Sequence, residues 1–182
     1  MTDAPDPGKG QDPDIELALA RLFSPIIHPE LLWAPTFQER APELDHLPFL
    51  YWIVAVLRPR RTVTLNIGAG AAHFAICQSA SEYLTGAQCL GVAAQGTDLS
   101  DAFEHHSERV YPDLSSINGD VLHVIPDAHD IDLIVVETGL RQTLVADLIE
   151  TWVPLLSDQG VLLLFGVDET DPECDPVLQQ LI

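Results

Sequence analysis

From residue 62 onward, short runs of β-branched and aliphatic residues alternate with stretches that have helical periodicity. The runs predict strands, and the stretches between them predict helices that cross from one strand to the next. The predicted strands are 62–67, 88–93, 115–118, 131–137 and 160–167, and the predicted helices are 71–84, 101–110 and 141–156. This alternation predicts an α/β fold in which a parallel sheet carries helices on both faces, joined by right-handed crossovers.

The charge of the chain is strongly negative. Its 28 Asp and Glu residues against 8 Lys and Arg residues give a formal net charge of -20. A surface of this charge repels the phosphates of nucleic acids and anionic lipid headgroups. We therefore expect neither a nucleic-acid nor a membrane partner, and a cationic substrate or partner fits the charge better.

The chain has 182 residues, 47% of them hydrophobic, which is enough for one packed domain and too short for two. Residues 1–13 are mostly Pro, Gly and Asp, and we predict a disordered acidic tail there. Residues 14–46 are predicted to be an N-terminal helical extension, with a short helix at 14–23 before a proline-rich connector. Residues 47–182 are predicted to form an α/β domain that begins with a buried helix at 49–57.

Neither a signal peptide nor a membrane-spanning segment is predicted. The longest apolar run has about half of the ~20 residues that a bilayer requires, and the first ten residues lack the basic-then-apolar pattern of a leader. Three cysteines, Cys77, Cys89 and Cys174, are odd in number and widely spaced, which is typical of a reducing compartment. We predict a cytoplasmic protein.

A glycine-containing turn joins the first predicted strand directly to a helix. Such a turn lies at the carboxyl edge of a parallel sheet, where ligands bind and where the helix offers free N–H groups. The dinucleotide fingerprint requires a small residue at its sixth position, where this chain has His73, so NAD is disfavoured. A P-loop is excluded because no Gly-Lys-Ser/Thr follows. The sequence of the turn is Asn66-Ile67-Gly68-Ala69-Gly70-Ala71-Ala72-His73.

Four phrases of the sequence resemble the class I S-adenosylmethionine (SAM)-dependent methyltransferases. They are LYWIVAVLRPRRTVTLNIGAG, GDVLHVI, IDLIVVETG and LIETWVPLLSDQGVLLLF. The resemblance extends from about Leu47 to the C-terminus, and it is closer to a bacterial branch found beside, or fused to, glycosyltransferases of surface-polysaccharide synthesis. It implies a Rossmann-like three-layer sandwich with strand order 3-2-1-4-5 and SAM as the cofactor.

The resemblance assigns cofactor contacts to the glycine turn. Gly68, Ala69 and Gly70 match the family's glycine-rich loop under the methionine part of the cofactor, and Ala72 replaces its third glycine. Asn66 stands where the family usually has an acidic residue. An amide at this position keeps the hydrogen-bonding shape of the carboxylate and loses its charge.

Further cofactor contacts are implied after the second and third strands. The family has an acidic residue at the end of the second strand that binds both ribose hydroxyls, where this chain has Ala93. Two unpaired hydroxyls cost ~1 to 3 kcal/mol, or about 10- to 100-fold in affinity. Gly119-Asp120 resembles the family's Gly-Asp pair, in which the Asp reaches the adenine amino group. Asp120 equally fits an N-cap of the helical turn that follows.

The candidate catalytic residue is Glu137, at the end of the fourth predicted strand. It is either a lone general base for methyl transfer or an ordinary carboxylate at a strand end. The closer branch carries a His-Asp pair after the fifth strand, where this chain has Phe165-Gly166-Val167. With one carboxylate left, a divalent metal would lack ligands, so no metal is expected.

Family members continue past the fifth strand with a helix and two more strands, for which this sequence has no counterpart. Three alternatives follow: the chain is part of a longer protein, the domain has eroded, or the apolar edge at 162–165 is covered by a protein partner, by a second copy of the chain or by the N-terminal segment. Two functions stay open. One is a SAM-dependent methyltransferase acting on a sugar or another small hydroxyl compound. The other is a catalytically degenerate methyltransferase-like domain that acts as a scaffold or partner-binding module.

Overall fold

A five-stranded parallel sheet is the central element of the computed structural model, which describes residues 28–39, 42–93, 98–118, 130–137 and 148–165. The strands are β1 (Arg61–Ile67), β2 (Gln88–Ala93), β3 (Ser115–Asn118), β4 (Ile131–Val136) and β5 (Leu156–Leu164). Their order is β3-β2-β1-β4-β5, and every neighbouring pair is parallel. The predicted fold class and strand order are confirmed. The predictions for 1–13, for the helix at 14–23 and for Gly119 and Asp120 lie outside the described residues.

Three α-helices lie in the described part of the chain: α1 (Leu47–Leu57), α2 (Ala71–Tyr83) and α3 (Asp101–Val110). The start of α1 lies two residues before the predicted one, and Pro48 occupies its first turn, where a missing N–H leaves no hydrogen bond unmade. Ser100 caps α3 by accepting the N–H of Phe103. None of these helices is long and apolar enough to cross a membrane.

Hydrophobic residues pack on both faces of the sheet. One core lies between the sheet and the helices α1, α2 and α3, and the other lies on the opposite face around Trp152. Alternate residues of β4 enter each core, with Leu133 on the first side and Ile134 on the second. Burial on both faces explains why the sequence of β4 is apolar without interruption. Each such side chain contributes about 1.5 to 3 kcal/mol relative to exposure.

The predicted boundary between the helix at 141–156 and the strand at 160–167 is wrong. Residues 148–152 form a single π-helical turn, Val153–Leu155 form a 3-10 turn, and Leu156 already begins β5. Pro154 lacks the N–H that would continue a helix. The pairing then jumps from Ile131↔Leu156 to Leu133↔Val161, so residues 157–160 bulge opposite one residue of β4. The first part of the predicted helix lies outside the described residues.

The segment at 33–39 lies along α2 and α3. Trp33 stacks on Tyr83 with ring centroids 5.5 Å apart, and Phe37 contacts Phe74 at 4.6 Å. The backbone N–H of Thr36 donates to Oε1 of Gln78 on α2 at 3.0 Å. These contacts fasten part of the N-terminal extension to the Rossmann-like domain.

Candidate functional site

The strand β1 ends in an irregular step at Asn66. Its pairing with β2 shifts between Leu65 and Ile67, and Asn66 has a φ of 58°. Asparagine adopts this left-handed conformation more readily than most residues because its short side chain can form local hydrogen bonds. The step turns the chain into the loop at 68–70, and the structure places Asn66 half-buried at the carboxyl edge of the sheet.

One end of the loop is open. Gly68 is exposed, and a Cβ built on it would have no heavy atom within 4 Å. Ala69, the next residue, is half-buried. These two residues lie at the carboxyl edge of the sheet, where ligands bind in folds of this kind, and their contact with a cofactor stays a prediction.

The other end of the loop is closed by side chains. Gly70 has a φ of 86°, and a Cβ on it would lie 2.2 Å from Cε2 of Phe103. Ala72, the second residue of α2, is completely buried. Phe103 and Phe74 pack together here with ring centroids 4.6 Å apart. Gly70 thus serves the packing of α2 against α3, Ala72 belongs to the hydrophobic core, and the contact of both with a cofactor stays a prediction.

Glu137, the residue after β4, fastens the loop to the start of α2. Its side chain is 1% exposed. Oε2 accepts the N–H of Gly68 at 3.0 Å, and Oε1 accepts the N–H of His73, also at 3.0 Å. Its own N–H donates to the carbonyl of Leu65 on β1 at 3.1 Å. The carboxylate of Glu137 therefore connects the exposed loop to the buried end of α2, and its backbone N–H connects the end of β4 to β1.

The carboxylate of Glu137 also changes the electrostatics of the site. The N-terminus of an α-helix carries a partial positive charge and is a ready binding site for phosphates and other anions. Here the protein itself supplies the negative charge, because the carboxylate of Glu137 accepts hydrogen bonds from two of the N–H groups of this region. A phosphate at this position would meet a buried carboxylate and lose those two donors, so the site disfavours phosphate ligands.

His73 belongs to the packing under α2 and does not face the loop. It is 0% exposed, its Nε2 lies 2.8 Å from Oγ of Ser115, and its Nδ1 lies 3.4 Å from Oγ1 of Thr64. Burial lowers the pKa of His73 to about 3, so the imidazole is neutral at physiological pH. His73 is therefore a core residue.

The fit of His73 depends on a glycine that sequence analysis did not single out. A Cβ on Gly91 in β2 would lie 3.2 Å from Cε1 of His73, and closer still to the side chains of Ile67 and Ile117. A glycine inside a strand often marks a close approach of another group, which is the signal that sequence reasoning missed.

The end of β2 carries no acidic group in the described residues. Ala93 ends β2 with a side chain that is 2% exposed, and none of the six residues of β2 is acidic. The acceptor for ribose hydroxyls that the resemblance implies at this position is therefore replaced by a buried methyl group. Gly119 and Asp120, which would contact the adenine, lie outside the described residues.

The rings of His46 and Phe165 are in contact near the end of β4. The N–H of Phe165 donates to the carbonyl of Val136 at 3.0 Å, which places Phe165 beside the strand end that leads to Glu137. The ring of His46, just before α1, lies 5.4 Å from that of Phe165. Sequence analysis did not predict this pair because it joins residues more than 100 positions apart. No group of three or more metal-ligating side chains occurs in the described part of the chain.

Comparison with known proteins gives a distant relative. No family model matches the chain. The chain is 27% identical over 146 residues to the uncharacterized protein y4gI of Sinorhizobium fredii, an alignment that covers 72% of this chain and 16% of that protein. The chain thus spans about one sixth of the length of this relative.

Solved structures share the fold at low sequence identity. An O-methyltransferase from Bacillus cereus in complex with S-adenosylhomocysteine (SAH) has a TM-score of 0.58 at 14% identity, over 97% of this chain and 81% of its own. The O-methyltransferase TomG of Streptomyces achromogenes, in complex with SAM, has a TM-score of 0.57 at 13% identity, over 93% and 76%. A methyltransferase from Geobacter sulfurreducens has a TM-score of 0.54 at 16% identity, over 86% and 79%. The chain therefore has the Rossmann-like fold of the class I methyltransferases.

Proposed function

We propose that this chain is a SAM-dependent methyltransferase-like protein that binds its cofactor at the open end of the glycine loop, Gly68 and Ala69. The proposal rests on two hydrogen bonds, in which the carboxylate of Glu137 accepts the N–H groups of Gly68 and His73. Nucleotide cofactors with phosphates use such N–H groups, whereas SAM has no phosphate and carries a positive sulfonium. A loop that presents an open backbone over a buried negative charge suits SAM better than a dinucleotide.

The described residues fit one half of the cofactor better than the other. Gly68 and Ala69 would hold the methionine half, because the space above Gly68 is free. Ala93 offers no acceptor for the ribose hydroxyls, so we expect affinity about 10- to 100-fold below that of a site with an acid there. The SAH-bound and SAM-bound neighbours support the choice of cofactor through their shared fold.

The acceptor that we propose is a sugar or another small hydroxyl compound, following the resemblance to the polysaccharide-associated branch. The bound cofactor supplies the methyl group. Phe165, just after β5, lies beside the strand end that leads to Glu137 and contacts His46, and we propose that the acceptor enters on this side. Glu137 as general base stays a proposal, and both of its oxygens already accept a backbone N–H.

We place the protein in the cytoplasm. Cys77 and Cys89 are free thiols, and both are buried. Free buried cysteines are typical of proteins from a reducing compartment.

A second candidate is a degenerate methyltransferase-like domain that acts as a scaffold. Two observations favour it: the ring of Phe103 packs against Gly70, and a methyl group replaces the ribose acceptor at Ala93. In this case we expect a protein partner or a second copy of the chain along β5, where residues 161–165 are only half-buried.

The test is calorimetric titration of the purified protein with SAM and SAH. Gly68→Arg adds a long side chain where no atom lies within 4 Å, so it should block the open end without disturbing the fold. Ser81→Arg adds the same charge at an exposed position of α2 and serves as the matched control. We expect micromolar binding that is lost in Gly68→Arg and retained in Ser81→Arg. No heat up to millimolar ligand, with the protein shown to be folded, would overturn the proposal and favour the scaffold.

A further inference from the structure

We infer that Glu137 is a positioning residue, which fixes the glycine loop and the first turn of α2 in the shape that receives the cofactor. The inference rests on the proposed function for its ligand. It gives Glu137 a different role from the general base considered in the sequence analysis, because a base must present its carboxylate to the acceptor, whereas this carboxylate is 1% exposed and points to backbone amides.

Helix α2 has no side-chain cap of its own at its N-terminus. Its N-cap residue is Gly70, which has no side chain to accept an N–H, and its first turn contains no acidic residue. The first N–H groups of a helix have no partner within the helix and need an acceptor from elsewhere. Oε1 of Glu137 supplies it by accepting the N–H of His73, the third residue of α2.

A local cap at position 70 is sterically disfavoured, because a Cβ there would force Phe103 to shift. Ser, Asp or Asn at position 70 would place a Cβ 2.2 Å from the ring of Phe103, at a φ of 86° that side chains rarely adopt. The packing of α2 against α3 therefore disfavours the usual capping residues. The acceptor comes from across the sheet, and the end of β4 is the neighbouring position that provides it.

The other oxygen of Glu137 forms a hydrogen bond with the loop itself. Oε2 accepts the N–H of Gly68, a residue whose remaining surroundings are open. This bond fixes the direction of the N–H of Gly68. A single carboxylate thus couples the open end of the loop to the buried end of α2.

The chain contains a matched control at the other end of the same strand. Asp132 of β4 also accepts two backbone N–H groups, those of Arg60 at 2.8 Å and Arg61 at 3.2 Å, but at the start of β1, far from the loop. In Glu137 the two donors bind different oxygens, so an amide puts an NH₂ group against one of them and one bond is lost. In Asp132 both donors bind Oδ2, so Asp132→Asn removes a carboxylate from the same strand and can keep both N–H bonds. A loss of SAH affinity caused only by removing a negative charge from β4 would appear in both variants.

The experiment compares wild type, Glu137→Gln and Asp132→Asn as full-length folded proteins, with SAH affinity from calorimetry and stability from urea unfolding. We expect Glu137→Gln to bind SAH at least about 10-fold more weakly, since one lost hydrogen bond of about 1.4 kcal/mol is a factor of 10. Asp132→Asn should bind like wild type. Wild-type affinity in Glu137→Gln, as expected of a general base, would overturn the inference, and so would equal losses in both variants.

A second measurement needs no ligand and separates failure of the inference from failure of the proposed function. Hydrogen exchange of the Gly68 and His73 amides should be slow in wild type and Asp132→Asn, and at least about 10-fold faster for one of them in Glu137→Gln. Unchanged exchange would overturn the positioning role, even if no protein in the series binds SAH. Glu137→Asp, one methylene shorter, replaces the Gln variant if that variant does not fold, with the same expectations.

Discussion

The two ends of β4 use the same chemistry at different places in the molecule. At its start, Asp132 is half-buried and accepts the N–H groups of Arg60 and Arg61 and the hydroxyl of Ser157 at 3.1 Å. At its end, Glu137 is 1% exposed and accepts the N–H groups of Gly68 and His73. Both carboxylates fasten β4 to the chain at the ends of its neighbour β1.

The two carboxylates at the ends of β4 differ in the part of the chain that each one holds in place. Asp132 fixes the entry to β1 at the amino edge of the sheet, where water can replace a lost partner. Glu137 fixes the loop at the carboxyl edge, where ligands bind in folds of this kind, and one of its donors, the N–H of His73, is buried. The same pair of hydrogen bonds should therefore matter more for stability, and for ligand binding, at the end that is buried. The following predictions test this contrast.

The largest effect is expected for Glu137→Ala. The substitution leaves two N–H groups without an acceptor, one of them at the buried start of α2, and each such loss costs about 1 to 3 kcal/mol. We expect the free energy of unfolding in urea to fall by about 3 kcal/mol. A loss below about 1 kcal/mol would show that water reaches these groups, and would remove the difference between the two ends of β4.

The next effect separates the closed and open ends of the loop. Gly70→Ala places a Cβ against Phe103 at a left-handed φ, and we expect a loss of about 2 kcal/mol or more in unfolding free energy. Gly68→Ala meets no atom within 4 Å, and we expect it to stay within about 0.5 kcal/mol of wild type. Similar losses in both variants would contradict the distinction between the two ends of the loop.

A pH effect of about 2 kcal/mol is expected from His73, whose N–H is the group that Glu137 caps. Burial lowers its pKa to about 3 in the folded protein, against an ordinary value of 6.5. Below pH 6.5 the unfolded chain binds a proton that the folded protein does not, so stability is complete above that pH and falls toward pH 3 by up to about 1.4 kcal/mol per unit.

The measurement is urea unfolding of wild type and His73→Gln at pH 7 and pH 5. Wild type should lose about 2 kcal/mol more than the variant over this interval, because the variant lacks the titrating imidazole while the carboxylates are common to both. Equal losses in the two proteins would show that His73 takes up its proton without unfolding.

The smallest effect is expected for Asp132→Asn. Because both N–H groups bind the same oxygen of Asp132, the amide oxygen of Asn can accept both, and the NH₂ group takes the place of the oxygen that accepts the hydroxyl of Ser157. We expect a loss below about 1 kcal/mol in unfolding free energy. A loss as large as that of Glu137→Ala would mean that burial does not distinguish the two ends of β4.

Local sequence signals predicted most of the elements. The predicted bounds of β2, α3 and β3 are those observed, and β1 and α2 differ by one residue at one end. These elements begin and end at features that lie within a few residues, such as the Ser100 cap of α3. The predicted strand order, which came from the family resemblance, is also confirmed.

The parts that sequence reasoning missed depend on contacts between distant residues. The bulge at 157–160 is set by the pairing of β5 with β4, and no local pattern reveals it. Glu137 was recognised as a candidate site residue, but its bonds to Gly68 and His73 cross 69 and 64 positions of sequence. The closure of Gly70 by Phe103 likewise needs the packing of two helices.

The central claim is that the open end of the loop, held by Glu137, binds SAM. Its most direct test is a titration of ¹⁵N-labelled protein with SAH, following the amide signals of Gly68 at one end of β4 and Arg61 at the other. We expect the Gly68 signal to shift and to saturate at micromolar SAH, and the Arg61 signal to stay unchanged. No shift of Gly68 up to millimolar SAH, or equal shifts of both amides, would contradict it.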